Sequence, residues 1–350
     1  MIKLYSPGKV SWQESQLIYH ALAEMGQEAL SLVSPSSAYV CIGFHQDAAQ
    51  EVDLDYCTEK GIPVFRRDLG GGAVYLDGDQ YFFQLVLRRD NPLVPKNKAG
   101  FYRKFLEPIL NVYRRIGIPV EYKPVNDVVC RSRKISGTGA GEIGDCIVFV
   151  GNLIKDFDFL EMSRVLNVPD EKFRDKVYKT LTDNLTTIRR ELGEEDARKW
   201  SEERLNEMMA VEFESVIGPM VRSTIDSDLA SRIREMGDRM TSREWLYRKG
   251  KKSLGRDVKI RAGVNVIQRV HKAPGGLIRC ELELIDHKIN DLSLSGDFFC
   301  FPKDAVGRLE GALRGKRLDE VQGIIEDFYS GGDVEIPAVS VEDWMKLFVV

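Results

Sequence analysis

Three consecutive glycines follow two arginines in the segment Arg66–Val74. Gly70, Gly71 and Gly72 stand between two apolar runs that predict strands, where each glycine costs about 0.5–1 kcal/mol relative to alanine. This placement indicates that another group approaches the bare backbone, and a ligand is the usual one. An adjacent arginine offers fixed charge for bidentate recognition of a carboxylate or phosphate. A flexible hairpin bend with two solvated arginines is the alternative.

A second polar segment, Asn126–Gly141, contains one lysine directly before small residues that form hydrogen bonds. On a turn, such residues can direct backbone N–H groups at a phosphate while the Lys134 ammonium neutralises its charge. The segment is not a Walker A loop, because the lysine precedes the glycines, and it is not a Rossmann fingerprint, because Glu142 replaces the last required glycine. A basic surface turn is the alternative.

Together these two segments resemble the lipoate–protein ligase family, within the superfamily of biotin and lipoate ligases and octanoyltransferases. The resemblance covers roughly Trp12–Thr187 and includes Ile42–Gln46 upstream and Gly151–Asp158 downstream. Gly275–Ile278 and Ser295–Phe299 are similar to the small accessory domain that some lipoate ligases carry as a fused C-terminus.

The resemblance implies an ATP-dependent, AMP-forming enzyme. Lipoate or octanoate reacts with ATP and Mg²⁺ to give an acyl-adenylate and pyrophosphate, and a lysine ε-amine of an acceptor protein then displaces AMP. Lys134 matches the catalytic lysine, and Asp127 matches the residue placed near the metal. The implied set that binds substrate and adenylate is Arg67, Gly70, Gly71, Gly72, Val74, Asn126, Asp127, Ser136, Gly137, Thr138 and Gly151.

The implied acceptor is a lipoyl-domain protein: a 2-oxoacid dehydrogenase subunit, a glycine-cleavage H protein or another lipoate-carrying protein. Leu69, Leu76 and Val150 depart from the family pattern and make the expected pocket more apolar, which leaves lipoate and octanoate both open as substrates.

The composition is that of a folded protein without a cationic field. The chain has 350 residues, 43% of them hydrophobic, with 50 Lys and Arg against 54 Asp and Glu for a net charge of −4. Neither nucleic acid nor a membrane is therefore expected as a partner. Six dispersed cysteines without Cys-x-x-Cys pairs, together with an N-terminus that lacks a long apolar segment, predict a cytoplasmic protein.

The expected fold class is α+β. A mixed β-sheet flanked by helices, as in the catalytic domain of class II synthetases and biotin/lipoate ligases, is implied for residues 1–245. Residues 246–256 are expected to form a linker, and residues 257–350 a small α+β accessory domain. Apolar spacing predicts helices near residues 14–25 and 101–116, and alternation predicts a strand at Leu277–Ile285.

Two other functions stay open. One is an acyltransferase that works without ATP through a thioester on Cys130 or Cys146, both of which fall in apolar strand patterns. The other is a non-catalytic module that binds the adenylate or a lipoylated partner. Retention of Lys134, Asn126, Asp127 and the three glycines argues against that second reading.

Overall fold

The computed structural model describes residues 1–124, 126–250, 258–261 and 264–349. Its helices are α1 (Glu14–Glu24), α2 (Ala48–Glu51), α3 (Leu54–Lys60), α4 (Lys98–Arg115), α5 (Phe159–Val165), α6 (Glu171–Asn184), α7 (Ile188–Leu192), α8 (Glu194–Ala197), α9 (Glu202–Ile217), α10 (Ser227–Met240), α11 (Arg243–Leu246), α12 (Ala305–Leu313), α13 (Val321–Ser330) and α14 (Val341–Met345). Among the described residues, none of these helices combines the length and the apolar character needed to cross a membrane.

The strands are β1 (Lys3–Val10), β2 (Ala29–Pro35), β3 (Tyr39–Ile42), β4 (Val64–Arg66), β5 (Val74–Leu76), β6 (Gln80–Arg88), β7 (Glu121–Lys123), β8 (Asp127–Cys130), β9 (Arg133–Ile143), β10 (Cys146–Ile154), β11 (Val221–Ser223), β12 (Val258–Arg261), β13 (Val264–Ala273), β14 (Gly276–Ile285) and β15 (Lys288–Gly296). The described residues fall into two compact units: Met1–Val40, Asp55–Pro63 and Val74–Met240 form the first, and Cys41–Leu54, Val64–Ala73 and the described part of Thr241–Val350 form the second.

The first unit is built on a mixed sheet in the order β11-β1-β2-β6-β10-β9-β8-β7. Strand β1 runs parallel to β11 and β2, and the other neighbours are antiparallel. Tyr81, Phe83 and Leu85 of β6 share one core with α4 and α9. Gln84 lies on the opposite face, where it donates to the Ser15 carbonyl of α1 (2.6 Å), because successive strand residues face opposite sides.

A capping box formed by Ser11 and Glu14 precedes the first turn of helix α1. The Ser11 hydroxyl accepts the Glu14 N–H (3.2 Å), and the Glu14 carboxylate accepts the Ser11 N–H (3.1 Å). The box satisfies two N–H groups that the first turn of a helix leaves unpaired. The helix predicted near residues 14–25 is thus confirmed.

The second unit contains an antiparallel sheet in the order β12-β13-β14-β15. Strand β14 buries alternate residues, as its sequence predicts, and its apolar face packs in a core with Trp344 of α14, which is 0% exposed. The N-terminal segments join this unit through side-chain pairs. Arg279 of β14 forms an ion pair with Glu51, and Gln50 donates to Glu281 (2.7 Å).

The polar segment Arg131–Gly144, expected as a turn, is largely strand β9. Its residues pair with β10 on one side, as Gly139 does with Val150, and with β8 on the other. Satisfying backbone groups on both sides outweighs the low strand propensity of glycine. The turn is confined to the two ends of the strand, where Arg131, Ser132 and Gly144 have positive φ angles.

The boundaries predicted at 245 and 257 stay a prediction. Most of the expected linker, residues 251–256, lies outside the described residues. The second unit nevertheless contains two segments from the N-terminal half of the chain. The two compact units therefore do not correspond to two consecutive stretches of sequence.

Candidate active site

The catalytic candidate, Lys134, lies at the start of β9 and forms an ion pair with Asp127 of β8. Its Nζ is 2.6 Å from Asp127 Oδ1, and the two side chains are 36% and 33% exposed. A register shift between Val128 and Val129 separates the two halves of the β8–β9 pairing. Because both side chains stay partly open to solvent, the ammonium can exchange this carboxylate for a bound anion.

The backbone around Lys134 is fixed from both sides of the strand. The Lys134 carbonyl accepts the Thr186 N–H (2.9 Å), and the Ile135 carbonyl accepts the hydroxyl of buried Tyr113 (2.7 Å). These two hydrogen bonds hold the backbone from which the Lys134 side chain extends.

Asn126 and Thr138 bind each other reciprocally. The Thr138 hydroxyl donates to the Asn126 carbonyl (2.5 Å), and the Asn126 side-chain amide donates to the Thr138 carbonyl. This pair joins the residue before Asp127 to β9. The structure thus brings Asn126, Asp127, Lys134 and Thr138 together, as the motif spacing alone could not establish.

Asn152 and Gln80 also belong to this group, and sequence reasoning did not single them out. Asn152 Oδ1 accepts the Gly137 N–H (3.0 Å), its carbonyl accepts the Ser136 hydroxyl (2.5 Å), and its amide donates to Gln80 Oε1 (3.2 Å). A polar amide within the apolar run Cys146–Ile154 was the available signal, because an amide inside such a strand needs hydrogen-bond partners.

Two glycines of the predicted set are explained by different neighbours. A Cβ on Gly151 would overlap the Phe83 ring and lie 2.8 Å from the Gly137 carbonyl oxygen, so no side chain fits. A Cβ on Gly137 would lie 3.6 Å from Lys134 Cε and 3.9 Å from Lys134 Nζ, at ordinary contact distance. Gly137 therefore leaves room beside the ammonium, whereas Gly151 is required by strand packing.

In the second unit, Arg67 holds the glycine loop, which we define as Gly70–Gly72. Its guanidinium donates to the carbonyls of Gly70 (2.7 Å), Gly72 (2.9 Å) and Cys41 (3.3 Å). Arg67 thus fixes the loop from within. Val74, the remaining predicted residue, begins β5 in the first unit and is 37% exposed.

Other residues of the chain approach the bare backbone of Gly70 and Gly71. A Cβ on Gly70 would lie 2.6 Å from the Phe298 carbonyl oxygen, and one on Gly71 would lie 3.1 Å from Phe299 Cζ. Gly43 lies against the Gly71 carbonyl in the same way. A Cβ on Gly72, in contrast, would meet Asp297 Cβ at an ordinary 3.7 Å, so packing does not require that glycine.

Arg66, the neighbour of Arg67, is structural. It is 0% exposed and donates to the carbonyls of Gly43, Phe44, Gln46, Trp245 and Leu246. Burial, with a smaller contribution from the charge of Arg248, lowers the pKa of Arg66 to about 9. The Arg66 guanidinium is not available to bind a ligand, because its N–H groups donate to backbone carbonyls.

The cysteines offer no activated thiol. Cys130 and Cys146 are both buried, and burial raises the pKa of each, that of Cys130 to about 11 with a further contribution from Glu191. The thiolate is the nucleophilic form, so these environments oppose a thioester mechanism.

All the site residues lie within residues 9–214, which match the family model described as the lipoyl protein ligase A/B catalytic domain. The chain belongs to this family. The resemblance found in the sequence is therefore confirmed, and so is the expectation of an enzyme of this ligase family.

Relatives in the ligase family span most of the chain. Lipoate-protein ligase LplJ of Bacillus subtilis is 25% identical over 319 residues, covering 88% of this chain and 87% of its own. Two proteins of Thermoplasma acidophilum match separately. Lipoate-protein ligase A subunit 1 is 30% identical over 54% of this chain and 74% of its own, and subunit 2 is 47% identical over 21% and 79%.

Solved structures show the same fold. The LipL1 structure of P. falciparum in complex with lipoate has a TM-score of 0.72 at 16% identity, covering 99% of this chain and 98% of its own. The bi-partite ligase of Thermoplasma acidophilum, described with its E2 lipoyl domain, has a TM-score of 0.63 at 24% identity over 72% and 98%. A lipoate-protein ligase A bound with ATP has a TM-score of 0.57 at 22% identity over 70% and 98%. The predicted α+β class, with a mixed sheet and a small C-terminal sheet, is confirmed.

Proposed function

We propose that this protein is an ATP-dependent lipoate–protein ligase that forms lipoyl-AMP and transfers the lipoyl group to a lysine of a lipoyl domain. The observation that carries the proposal is the Lys134 ammonium, which lies on strand β9 and pairs with a partly exposed carboxylate 2.6 Å away. Relatives named as lipoate–protein ligases and solved structures with ATP and with lipoate support it.

In the first step, a carboxylate oxygen of lipoate attacks the α-phosphorus of ATP. The new O–P bond forms as the bond to pyrophosphate breaks, and pyrophosphate leaves with the electron pair. Negative charge builds on the phosphoryl oxygens, where a preorganised ammonium stabilises it. Lys134 would take this role, and hydrogen bonds from Ser136 and Gly137 to Asn152 and from Thr138 to Asn126 hold the strand on which it lies.

Asp127 would hold Mg²⁺. In the described residues there is no group of three His, Cys, Asp or Glu that could enclose a metal. A single partly exposed carboxylate fits Mg²⁺, which binds one or two carboxylates and the substrate's phosphates. Bound there, the ion would neutralise phosphate charge. Asp127 would then release Lys134 toward the substrate.

In the second step, the neutral ε-amine of the acceptor lysine attacks the acyl carbon of lipoyl-AMP. The amide C–N bond forms, the C–O bond to AMP breaks, and the amine loses a proton. The Thermoplasma acidophilum ligase described with an E2 lipoyl domain supports an acceptor of this type. The six buried cysteines form no disulfide in the described residues, and this suits the reducing cytoplasm that we propose as the location.

The test is pyrophosphate release by the full chain with ATP, Mg²⁺ and either lipoate or octanoate, with Lys134→Ala as the variant. We expect release that requires a free acid and falls about 10²–10³-fold in the variant, the usual cost of one such contact. Lys179→Ala is the matched control, because Lys179 also pairs with an aspartate, Asp183 (3.0 Å), but is 77% exposed. It should keep wild-type release.

Other outcomes separate the competing functions. Acyl transfer from a pre-acylated carrier without ATP, abolished by Cys130→Ala or Cys146→Ala, would replace the ligase by a thioester acyltransferase. Tight binding of lipoyl-AMP with neither activity would identify a binding module. Equal release by wild type and Lys134→Ala would remove Lys134 from the mechanism.

A further inference from the structure

The glycine loop has a second support, which lies at the end of strand β15. Gly71 donates its N–H to the Phe298 carbonyl (3.2 Å), and the Phe299 ring lies against the loop. A Cβ on Gly70 or Gly71 would meet ring atoms at 3.1 Å. Arg67 holds the loop carbonyls, and Phe298–Phe299 hold the backbone of Gly70 and Gly71. The loop is therefore fixed at two surfaces within one compact unit.

The two phenylalanines have different surroundings. Phe298 is 0% exposed, stacks on His45 (4.9 Å between ring centroids) and contacts Trp344 (5.7 Å), so its side chain belongs to the core. Phe299 is only partly buried, and atoms of its ring lie within 3.1 Å of where a Cβ on Gly70 or Gly71 would stand. Its removal should therefore loosen the loop without emptying the core.

We propose that Phe299 is a positioning residue that holds the glycine loop in the form that binds the acyl group. The proposal rests on the proposed function and on the family resemblance, which implies that the glycine loop binds substrate and adenylate. A loop already fixed in its bound form loses little entropy on binding, whereas a loosened loop must be ordered by the ligand. The affinity for the acid should thus depend on a side chain that belongs to the C-terminal part of the chain.

The experiment measures pyrophosphate release by the full chain as a function of lipoate and of ATP concentration, in Phe299→Ala. We expect KM for lipoate to rise about tenfold, the cost of ordering roughly one residue, while kcat at saturating lipoate and KM for ATP change less than about twofold. Phe299→Leu, which keeps apolar bulk at the loop, should recover most of the affinity.

Phe328→Ala is the matched control, because Phe328 is a partly buried phenylalanine packed on the same core. It should leave both KM values unchanged. An unchanged KM for lipoate in a folded Phe299→Ala protein would overturn the proposal. So would a fall in kcat and in both affinities together with a lowered unfolding midpoint, because that pattern describes general destabilisation.

A second readout separates this proposal from the proposed function. Hydrogen exchange at the Gly71 amide should accelerate in Phe299→Ala and stay unchanged in Phe328→Ala, whether or not the protein releases pyrophosphate. If the wild type adenylates no acid but exchange accelerates, the proposed function fails and the support of the loop stands. Unchanged exchange at Gly71 would refute the support itself.

Discussion

Adjacent residues of one type take different roles in this protein. Arg66 and Arg67 are neighbours in sequence, yet Arg66 is fully buried on backbone carbonyls and Arg67 fixes the glycine loop. Alternation along an extended backbone sends successive side chains to opposite sides, which explains the difference. The motif predicted fixed positive charge for a ligand, and the structure shows that both guanidinium groups donate to main-chain carbonyls.

His45 is a second buried residue whose chemistry follows from its surroundings. Its Nδ1 is buried and has no hydrogen-bond partner among the residues that the structure describes. Burial, together with the charges of Lys249, Arg248, Arg66 and Lys303, holds the pKa of His45 well below its usual value. Folded His45 therefore stays neutral as the pH falls through about 6.5, where an unfolded histidine takes up a proton.

We therefore expect stability to decrease as the pH falls below about 6.5. The unfolded state binds one proton more in this range, which gives a slope of up to about 1.4 kcal/mol per pH unit. Urea unfolding between pH 7.5 and 5.5 measures it. His45→Phe, which keeps an aromatic ring against Phe298, should reduce the slope, and Leu309→Ala should lower stability equally at every pH. Equal slopes in wild type and His45→Phe would contradict the assignment.

At the scale of elements, the site is a strand pair. Strand β9 carries Lys134, Ser136, Gly137 and Thr138, and β10 supports them through Asn152. Local patterns predicted most strands and helices near their observed positions, because apolar alternation and capping are local properties. The sequence of β9 reads as a turn because its strand character comes from pairing with β8 and β10, which no local window contains.

The same limit explains which site residues could be predicted. Lys134, Asp127 and the glycines were predicted as site residues from motif types, spacing and the family resemblance. Asn152 and Gln80 were missed because their role depends on residues of neighbouring strands, which are distant in the sequence. In the pairings of β10, for example, Asn152 lies opposite Phe82 and Gly151 lies opposite Thr138. The reason for Gly70 and Gly71 was also hidden, because Phe298 and Phe299 lie more than two hundred positions along the chain.

Gly151 and Gly137 give a matched test of this strand pair. Gly151→Ala should lower the free energy of unfolding by about 1–3 kcal/mol, because its methyl group would overlap Phe83 and the Gly137 carbonyl. Gly137→Ala should change it by less than about 1 kcal/mol, since its methyl group meets only ordinary contacts. Urea denaturation measures both.

Pyrophosphate release gives a second comparison, in which Gly137→Ala is the variant that should be impaired although its stability is nearly normal. The methyl group of Gly137→Ala would stand beside the Lys134 ammonium, so pyrophosphate release should fall in a protein of normal stability. A fully active Gly137→Ala variant would show that substrate does not use the space beside Lys134. A Gly151→Ala variant as stable as wild type would mean that β10 moves to admit the methyl group.

At the scale of the molecule, each of the two compact units is assembled from segments that are not consecutive in sequence. Residues 41–54 and 64–73 come from the N-terminal half but belong to the unit of Trp344 and β14. Arg66 and the Gln50–Glu281 hydrogen bond join them to that unit.

Hydrogen exchange in mild denaturant should report these units as separate cooperative blocks. Trp344→Ala, in the second core, should cost about 3–5 kcal/mol. It should accelerate exchange in β14 and at the amides of Phe44, Arg67 and Gly71, whose acceptors lie within the same unit. Exchange in β6 should stay slow.

Phe105→Ala is the matched variant in the first core, because Phe105 is also 0% exposed. It should accelerate β6 and leave the Arg67 and Gly71 amides unchanged. If exchange at these amides instead changes together with exchange in β6 in both variants, the glycine loop is stabilised by the first unit. The dependence of the loop on Phe299 would then have to be measured against that larger effect. If exchange at the Arg67 and Gly71 amides changes together with exchange in β14, the C-terminal part of the chain stabilises the residues that we propose to bind the acyl group. A destabilising change there should therefore weaken acid binding before it unfolds the strands that carry Lys134.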